Sequence, residues 1–321
     1  MHSEPKTLQE AIIYFSNPEN CVMYLAESRW PNGVAVCPNC GSEKVSYRAN
    51  RRTWTCGSHH SKREFSIKVG TIFEDSAIGL DKWLTATWML TNCKNGISSY
   101  EVAKAVGVTQ KSAWFMLHRI RLGLQDEFFG KRLSGHVEAD ETFIGGKSRF
   151  MHADKRERRI TGTGGKDKTL VFGMLERGGR IRATVIADRK KKALQSELKA
   201  HVEAGSALYT DALQSYDGLS QEYAHKVIDH AERYVQGQVH TNGLENFWSL
   251  LKRGIGGTYV SVEPFHLFRY LDEQVFRYNN RGTKNNKVTD ADRFRAVIRK
   301  IVGKRLTFAE LTGKVGAAAV A

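Results

Sequence analysis

Two short runs of metal-ligand residues, Cys37-Pro38-Asn39-Cys40 and Cys56-Gly57-Ser58-His59, restrict the first part of this chain more than any other feature. Between them lies GSEKVSYRANRRTWT, a basic and β-prone stretch with too few apolar side chains to make a core. Such a segment folds when a metal supplies the missing cohesion. The pattern C-x2-C followed by C-x2-H brings four ligands into a tetrahedron, which suits a structural Zn2+ ion with no open coordination position. The expected ligands are Cys37, Cys40, Cys56 and His59. His60, adjacent and within reach of the same knuckle, is the alternative fourth ligand. Cys21 and Cys93 have no partners at ligand spacing and read as semi-buried thiols.

Lys and Arg number 49 against 34 Asp and Glu, a net charge of +15 over 321 residues. An excess of this size implies a polyanionic partner, because each cation that neutralises a phosphate releases a counterion. Nucleic acid comes first among such partners and an acidic membrane surface second; Arg48, Arg51, Arg52, Lys62 and Arg63 around the knuckles either follow the phosphates of double-stranded DNA or form a solvated charged face. No apolar run approaches the roughly 20 residues needed to span a bilayer, and MHSEPKTLQEAIIYF lacks the layout of a signal peptide. The expectation is therefore a cytoplasmic, nucleoid-associated protein without membrane contact and without disulfides.

After the knuckles the apolar period becomes helical. Leu80, Trp83, Leu84 and Trp88 mark one amphipathic helix. In ISSYEVAKAVGVTQKSAWFMLHRIR, Ser98 with Glu101 forms a capping box, Gly107 interrupts, and Thr109 caps a second helix that buries Ala113, Met116, Leu117 and Ile120. A helix-turn-helix would leave Gln110, Lys111 and Ser112 at the exposed end of its recognition helix, with Arg119 further along it. A plain helical hairpin shares this periodicity.

Beyond Gly135 the chain turns to strands: HVEADETFIGG, a hairpin TLVFGMLERGGRIRATVIADR turning at Gly178-Gly179, ALYTDAL, and AHKVID. A helix, KKKALQSELKAHVEAG, separates the third strand from the fourth, and a last helix follows the fifth. That order belongs to a ribonuclease-H-like fold with a mixed five-stranded sheet, in which the first and fourth strands are neighbours. Asp140 and Asp211 would then lie side by side. An acid inside an apolar strand is costly unless it is paired or binds metal. Glu138 shares a strand face with Asp140, and Glu141 points to the other face; both compete with it.

The last helix, HTNGLENFWSLLKR, sets Leu244, Phe247, Trp248 and Leu251 on one apolar stripe, with Glu245 and Lys252 two turns apart on a neighbouring face. Asn242 and Glu245 also match a capping box, so Glu245 either caps the helix or joins the two aspartates. The basic, Gly-containing GKSRFMHADKRERRITGTGGKDK reads as a mobile loop that orders on DNA. His225, His230 and His240 flank the last helix in capping or core roles, with His240 also close enough to assist proton transfer. Tyr259, Arg269, Arg277 and Arg281 are candidates for lining DNA, and the tail GKVGAAAVA is expected to fray.

VEADETFIGG, YTDALQSYDGL and HTNGLENFWSLLKRGIGGTY followed by FRYLDEQVFRYNNR resemble the DDE transposases of bacterial insertion sequences that carry an N-terminal zinc ribbon, relatives of the eukaryotic Merlin elements. The resemblance runs from about Cys21 through Arg281 and includes RWPNG, the knuckles and FSIKVGTIFEDS. It implies catalytic acids at Asp140, Asp211 and Glu245 that hold two Mg2+ ions, with Mn2+ able to substitute. It further implies a basic catalytic partner at Lys252, with Arg253 beside it on DNA. Some relatives carry Asn as the third residue, which makes Asn246 the rival of Glu245, and many have a cysteine where this chain has His59. The implied activity is binding of terminal inverted repeats, strand cleavage and strand transfer within a homo-oligomeric synaptic complex.

The expected architecture is α+β and multidomain: a helical segment (1–34), a zinc ribbon (35–76), a helix-turn-helix region (77–130), a ribonuclease-H-like catalytic domain (131–285) and a C-terminal helical tail (286–321). Two other readings stay open at this point. One is a DNA-binding regulator whose central domain is inactive; the other is a nuclease that cuts without joining.

Overall fold

A computed structural model describes residues 4–125, 131–146, 151–160, 168–228, 240–283 and 286–314. The chain divides into two compact units, one built from residues 1–125 and 280–321, the other from residues 126–279.

The first unit begins with helices α1 (Leu8–Phe15) and α2 (Pro18–Arg29), each started by a side chain that accepts from a free backbone N–H: Thr7 from Glu10, Asn17 from Glu19. Strands β1 (Val45–Arg48), β2 (Thr53–Cys56) and β3 (Glu64–Ser66) then form an antiparallel sheet. Its small core is aromatic: Trp54 is packed by Trp30, Tyr47 and Phe65 with ring centroids 5.1, 4.8 and 6.3 Å away. Helices α3 (Leu80–Asn92), α4 (Ser99–Val106) and α5 (Gln110–Leu124) follow. The expected Ser98/Glu101 capping box is present, Gly107 ends α4 in the left-handed region at φ 63°, and Thr109 accepts from Ser112 N–H to start α5.

The second unit holds β4 (His136–Ile144), α6 (Ala153–Arg159), β5 (Thr169–Glu176), β6 (Ile181–Ile186), α7 (Lys191–His201), β7 (Ala207–Asp211), β8 (Ala224–Ile228), α8 (Asn242–Arg253) and α9 (Leu267–Asn279). The strands form one sheet in the order β6-β5-β4-β7-β8. Strand β5 runs antiparallel to both β4 and β6, whereas β7 pairs parallel with β4 and β8 parallel with β7. The first and fourth strands of the unit are therefore neighbours, as the order of elements predicted. The hairpin turns at Gly178, where φ is 74°.

Alternation along the strands divides two cores between the faces of the sheet. Val137, Ala139, Phe172 and Met174 pack with Leu194 and Leu198 of α7 and with Tyr216 and Leu219. On the opposite face Ile144, Val171 and Leu175 pack with Leu244, Phe247, Trp248 and Leu251 of α8 and with Leu271 and Val275 of α9. The stretch read as a mobile basic loop contains α6 at Ala153–Arg159; residues 147–150 and 161–167 of it, like His230, lie outside the described residues.

The segment read as a separate C-terminal tail belongs to the first unit. It carries α10 (Asp290–Ile298) and α11 (Phe308–Leu311), each with its own capping box. Phe294 of α10 is fully buried against Phe15, Tyr24 and Trp88. Apolar residues at helical spacing in DADRFRAVI require such a partner, and only the fold identifies it. Among the described residues no helix is long and apolar enough to cross a membrane.

Candidate active site

The cysteine knuckles converge. Ligand atoms of Cys37, Cys40, Cys56 and His60 all lie within 4.8 Å of one another. The fourth member is His60, and His59, the expected ligand, is exposed and outside the cluster. Spacing could not separate two adjacent histidines; the turn after β2 carries the second one back to Cys37, 3.5 Å from its sulfur. Three thiols and one imidazole match the donor set and the closed geometry of a structural Zn2+ site. Burial raises the Cys56 thiol, but hydrogen bonds from His60, the Ser58 N–H, Cys40 and Cys37 outweigh it and lower the pKa to about 6. A thiol so biased toward thiolate is suited to a cation.

In the second unit the parallel pairing of β4 with β7 runs His136–Ala207, Val137–Leu208 and Glu138–Tyr209. Continuing the register by two residues sets Asp140 level with Asp211, on strands whose ordinary separation is about 4.8 Å. The two acids interact. Burial raises the Asp140 carboxyl to about 6, opposed by the hydrogen bond from Trp248 and reinforced by the negative charges of Glu141 and Asp211. Trp248 Nε1 donates to Asp140 Oδ2 at 2.9 Å. Asp211 accepts from Leu213 N–H through Oδ1 at 3.3 Å, so it forms a local turn as well as facing its neighbour.

Both rivals of Asp140 are engaged elsewhere. Glu141 points to the opposite face, where Tyr216 donates to it at 2.7 Å and Arg189 at 2.9 Å. Glu138 is 1% exposed and faces α8. Its Oε2 accepts from Leu244 N–H at 3.1 Å, in the first turn of α8, and its Oε1 accepts from Arg177 Nε at 2.8 Å. Arg177 also lies over the ring of Tyr209 at 4.1 Å and donates to the His240 carbonyl. His240 thus has an anchoring role at the start of the helix.

Helix α8 lies across β4 and β5 through its predicted apolar stripe. Glu245 is exposed, and its carboxylate makes no hydrogen bond or ion pair to any described residue. The capping-box reading fails for a definite reason. The N-cap is Thr241 rather than Asn242, without a side-chain bond, and the acid that satisfies a free N–H there is Glu138 from the sheet. Glu245 lies three residues before Trp248, hence next to it on the helix surface. Asn246 is likewise exposed. Lys252 and Arg253, in the last turn, are exposed and unpaired among the described residues. Among those residues Asp140, Asp211 and Glu245 do not form a group drawn together within 4.8 Å, as the cysteine cluster does.

Room for this arrangement comes from two glycines. A Cβ on Gly173, which pairs with Asp140, would stand 2.6 Å from the Trp248 ring. One on Gly243 would stand 2.8 Å from Glu138 Oε2 and 2.4 Å from Leu175. Sequence reading missed Trp248 and Gly173 as parts of the site, and weighed Glu138 only as a rival of Asp140 rather than as the anchor of the helix. The alternation that put Glu138 beside Asp140 was the available signal.

The cations expected on DNA separate into two groups. Lys111 is exposed above the Phe308 ring at 5.0 Å, and Gln110 donates to Ser99 at 2.8 Å while Ser112 bonds Thr109. Arg119 is only 4% exposed, donates to the Glu74 carbonyl and lies over Trp83 and Phe115 at 5.6 and 5.3 Å. It is part of the packing and cannot reach a phosphate, a correction to its expected role. Arg269 is buried too, and the half-buried Arg277 and Tyr259 both bond the fully buried Glu273.

Residues 132–279 match the family model of the ISXO2-like transposase domain, and residues 16–59 match that of the transposase zinc-ribbon domain. A protein named "Uncharacterized protein in transposable element ISH50", from Halobacterium salinarum, is 29% identical over 284 residues, covering 82% of this chain and 93% of that one. An "Uncharacterized transposase-like protein" of Haemophilus influenzae is 28% identical over 107 residues, 33% of this chain and 86% of its own length. A chain of the simian T-cell lymphotropic virus intasome structure, in complex with a PP2A regulatory subunit, aligns with 65% of this chain and 74% of its own at 10% identity and a TM-score of 0.31, below the level that defines a shared fold.

Proposed function

From a chain that belongs to the zinc-ribbon-bearing, ISXO2-like transposases, we infer a DNA transposase that binds the terminal inverted repeats of its element, cuts a strand at each end and joins the freed end to target DNA. The observation that carries this reading is the in-step placement of Asp140 and Asp211 on adjacent parallel strands, crossed by a helix whose Glu245 is exposed and unengaged among the described residues.

Asp140, Asp211 and Glu245 together offer only carboxylate oxygens, hard donors that suit Mg2+ or Mn2+. A pair of such ions supplies activation of the attacking oxygen and neutralisation of the leaving oxygen at a phosphodiester. Asp140, with Oδ2 held by the Trp248 indole, is fixed in orientation and would hold the cations together with Asp211. Glu245 makes no side-chain bond to any described residue, so its carboxylate would be available to join the two aspartates in holding cations. Lys252, two turns along the same helix, would hold a phosphate oxygen beside the acids, with Arg253 on the adjoining backbone. Gln110, Lys111 and Ser112 begin the helix that reads DNA, and the zinc cluster holds the N-terminal sheet in shape. Bringing two element ends together requires a homo-oligomer.

The test is incubation with a labelled terminal inverted repeat and a plasmid target in Mg2+. Joined products dependent on Asp140, Asp211 and Glu245 are expected. Nicks without joining would indicate a nuclease, and binding without cleavage by both wild type and Asp140→Ala would indicate a regulator.

A further inference from the structure

Helix α8 is tied to β4 at two points: Glu138 accepts from Leu244 N–H, and Asp140 accepts from Trp248 Nε1. The ties match in length. Two residues of strand advance about 6.7 Å, and four residues of helix advance about 6 Å. Helix and strand therefore run in step, 138 with 244 and 140 with 248, and Glu245 lies on the turn between the two ties. One tie is made by a residue of the acid set; the other, at Glu138, has no assigned role. Glu138 is only 1% exposed and bonded through both oxygens, by Leu244 N–H on one and Arg177 Nε on the other. Arg177 lies on the Tyr209 ring, two residues before Asp211, so the same carboxylate connects the helix start to the strand of the second aspartate.

We propose that Glu138 is a positioning residue that holds the first turn of α8 in register with β4 and thereby sets Glu245 opposite Asp140 and Asp211. The proposal rests on the reading of these three acids as a metal site. Removing one oxygen–amide bond frees the turn that carries Glu245 while Trp248 still anchors the next turn, so the third acid drifts relative to the first two. Partners that orient ligands in this way typically contribute ten- to hundredfold in metal affinity.

The test uses the full-length, zinc-loaded protein and Tb3+ as probe, with luminescence excited through tryptophan, and Mn2+ in competition. Asp140→Ala is expected to abolish binding. Glu138→Ala should weaken it about ten- to hundredfold with thermal unfolding still cooperative. If that variant does not fold, two finer ones decide. Glu138→Gln keeps an acceptor for Leu244 N–H and loses the charge facing Arg177; Glu138→Asp keeps the charge and withdraws it by one methylene. Positioning of α8 requires Gln to bind Tb3+ better than Asp. Were Asp to bind as well as or better than Gln, pairing with Arg177 would be the whole role and the inference would be overturned. Loss of binding in Asp140→Ala with wild-type binding in every Glu138 variant also overturns it, yet leaves the acid site standing. Unchanged binding in Asp140→Ala, or none in wild type, removes the metal site itself.

Discussion

Trp248 Nε1 lies 2.9 Å from Asp140 Oδ2, a hydrogen bond between residues 108 positions apart. It joins the helix that carries one acid to the strand that carries another, and Gly173 leaves the space for it. Trp248→Phe keeps most of the packing and removes the donor. The expected loss is about 1 kcal/mol, at the low end of the cost of leaving an acceptor without a partner, because Asp140 is only part-buried. Gly173→Ala should lose a similar amount by displacing the indole. Urea midpoints measure both, and an unchanged midpoint in either variant contradicts the role assigned to this contact.

Asp140 makes stability depend on pH. Burial, with help from Glu141 and Asp211, raises its folded pKa from 3.8 to about 6 against the opposing bond from Trp248. The folded state therefore binds the proton more tightly than the unfolded chain. Its contribution to stability is fully present below about pH 4 and is lost as pH rises through about 6. Asp140→Asn, which cannot ionise, should be more stable than wild type at pH 7.5 by on the order of 2 kcal/mol, with the difference vanishing near pH 4. Urea unfolding at the two pH values without added Mg2+ reads this out, and equal stability at pH 7.5 counts against it.

Zinc retention should distinguish the two adjacent histidines. His60→Ala is expected to lose the metal from the purified chain, whereas His59→Ala keeps about one zinc per chain, because His60 alone joins the three thiols. Metal analysis after dialysis decides it. The opposite result reverses the assignment of the fourth ligand.

Arg119 and Lys111 should respond in opposite ways. Arg119→Ala removes a buried guanidinium from between Trp83 and Phe115 and leaves the Glu74 carbonyl without its donor, so thermal stability falls. Lys111→Ala leaves the melting temperature unchanged, weakens DNA binding and reduces the slope of log affinity against log salt by about 1. A gel-shift series at several salt concentrations, with melting curves, separates the two.

Lys252→Ala should leave the unfolding midpoint unchanged, since the side chain is exposed and unpaired among the described residues. Strand transfer is expected to fall at least about tenfold if it stabilises charge on a phosphate oxygen. Full activity in the joining assay would limit it to a surface role.

Much of this protein was legible from local chemistry. The strand boundaries, the Gly178 turn, the Ser98 and Thr109 caps and the stripe of α8 depend on residues within a few positions of one another, and their periodicity survives in one dimension. The adjacency of Asp140 and Asp211 also followed from element order, since a right-handed crossover leaves few arrangements. The choice between His59 and His60 was not legible, because both meet the same spacing rule and only the path of the turn after β2 orients one inward. Arg119 was misjudged because helical period alone does not tell a cation on the surface from one stacked among aromatic rings.

By itself, then, the order of residues determined which segments become strands and helices, which face of each is apolar, and which acids are available. Tertiary structure alone decided what those acids do. Glu138 became a helix cap, Glu141 a partner of Tyr216 and Arg189, and Glu245 a carboxylate unpaired among the described residues. The reason is physical: a carboxylate takes its role from the donors and charges within a few ångströms of it, and here those come from segments up to 108 residues away.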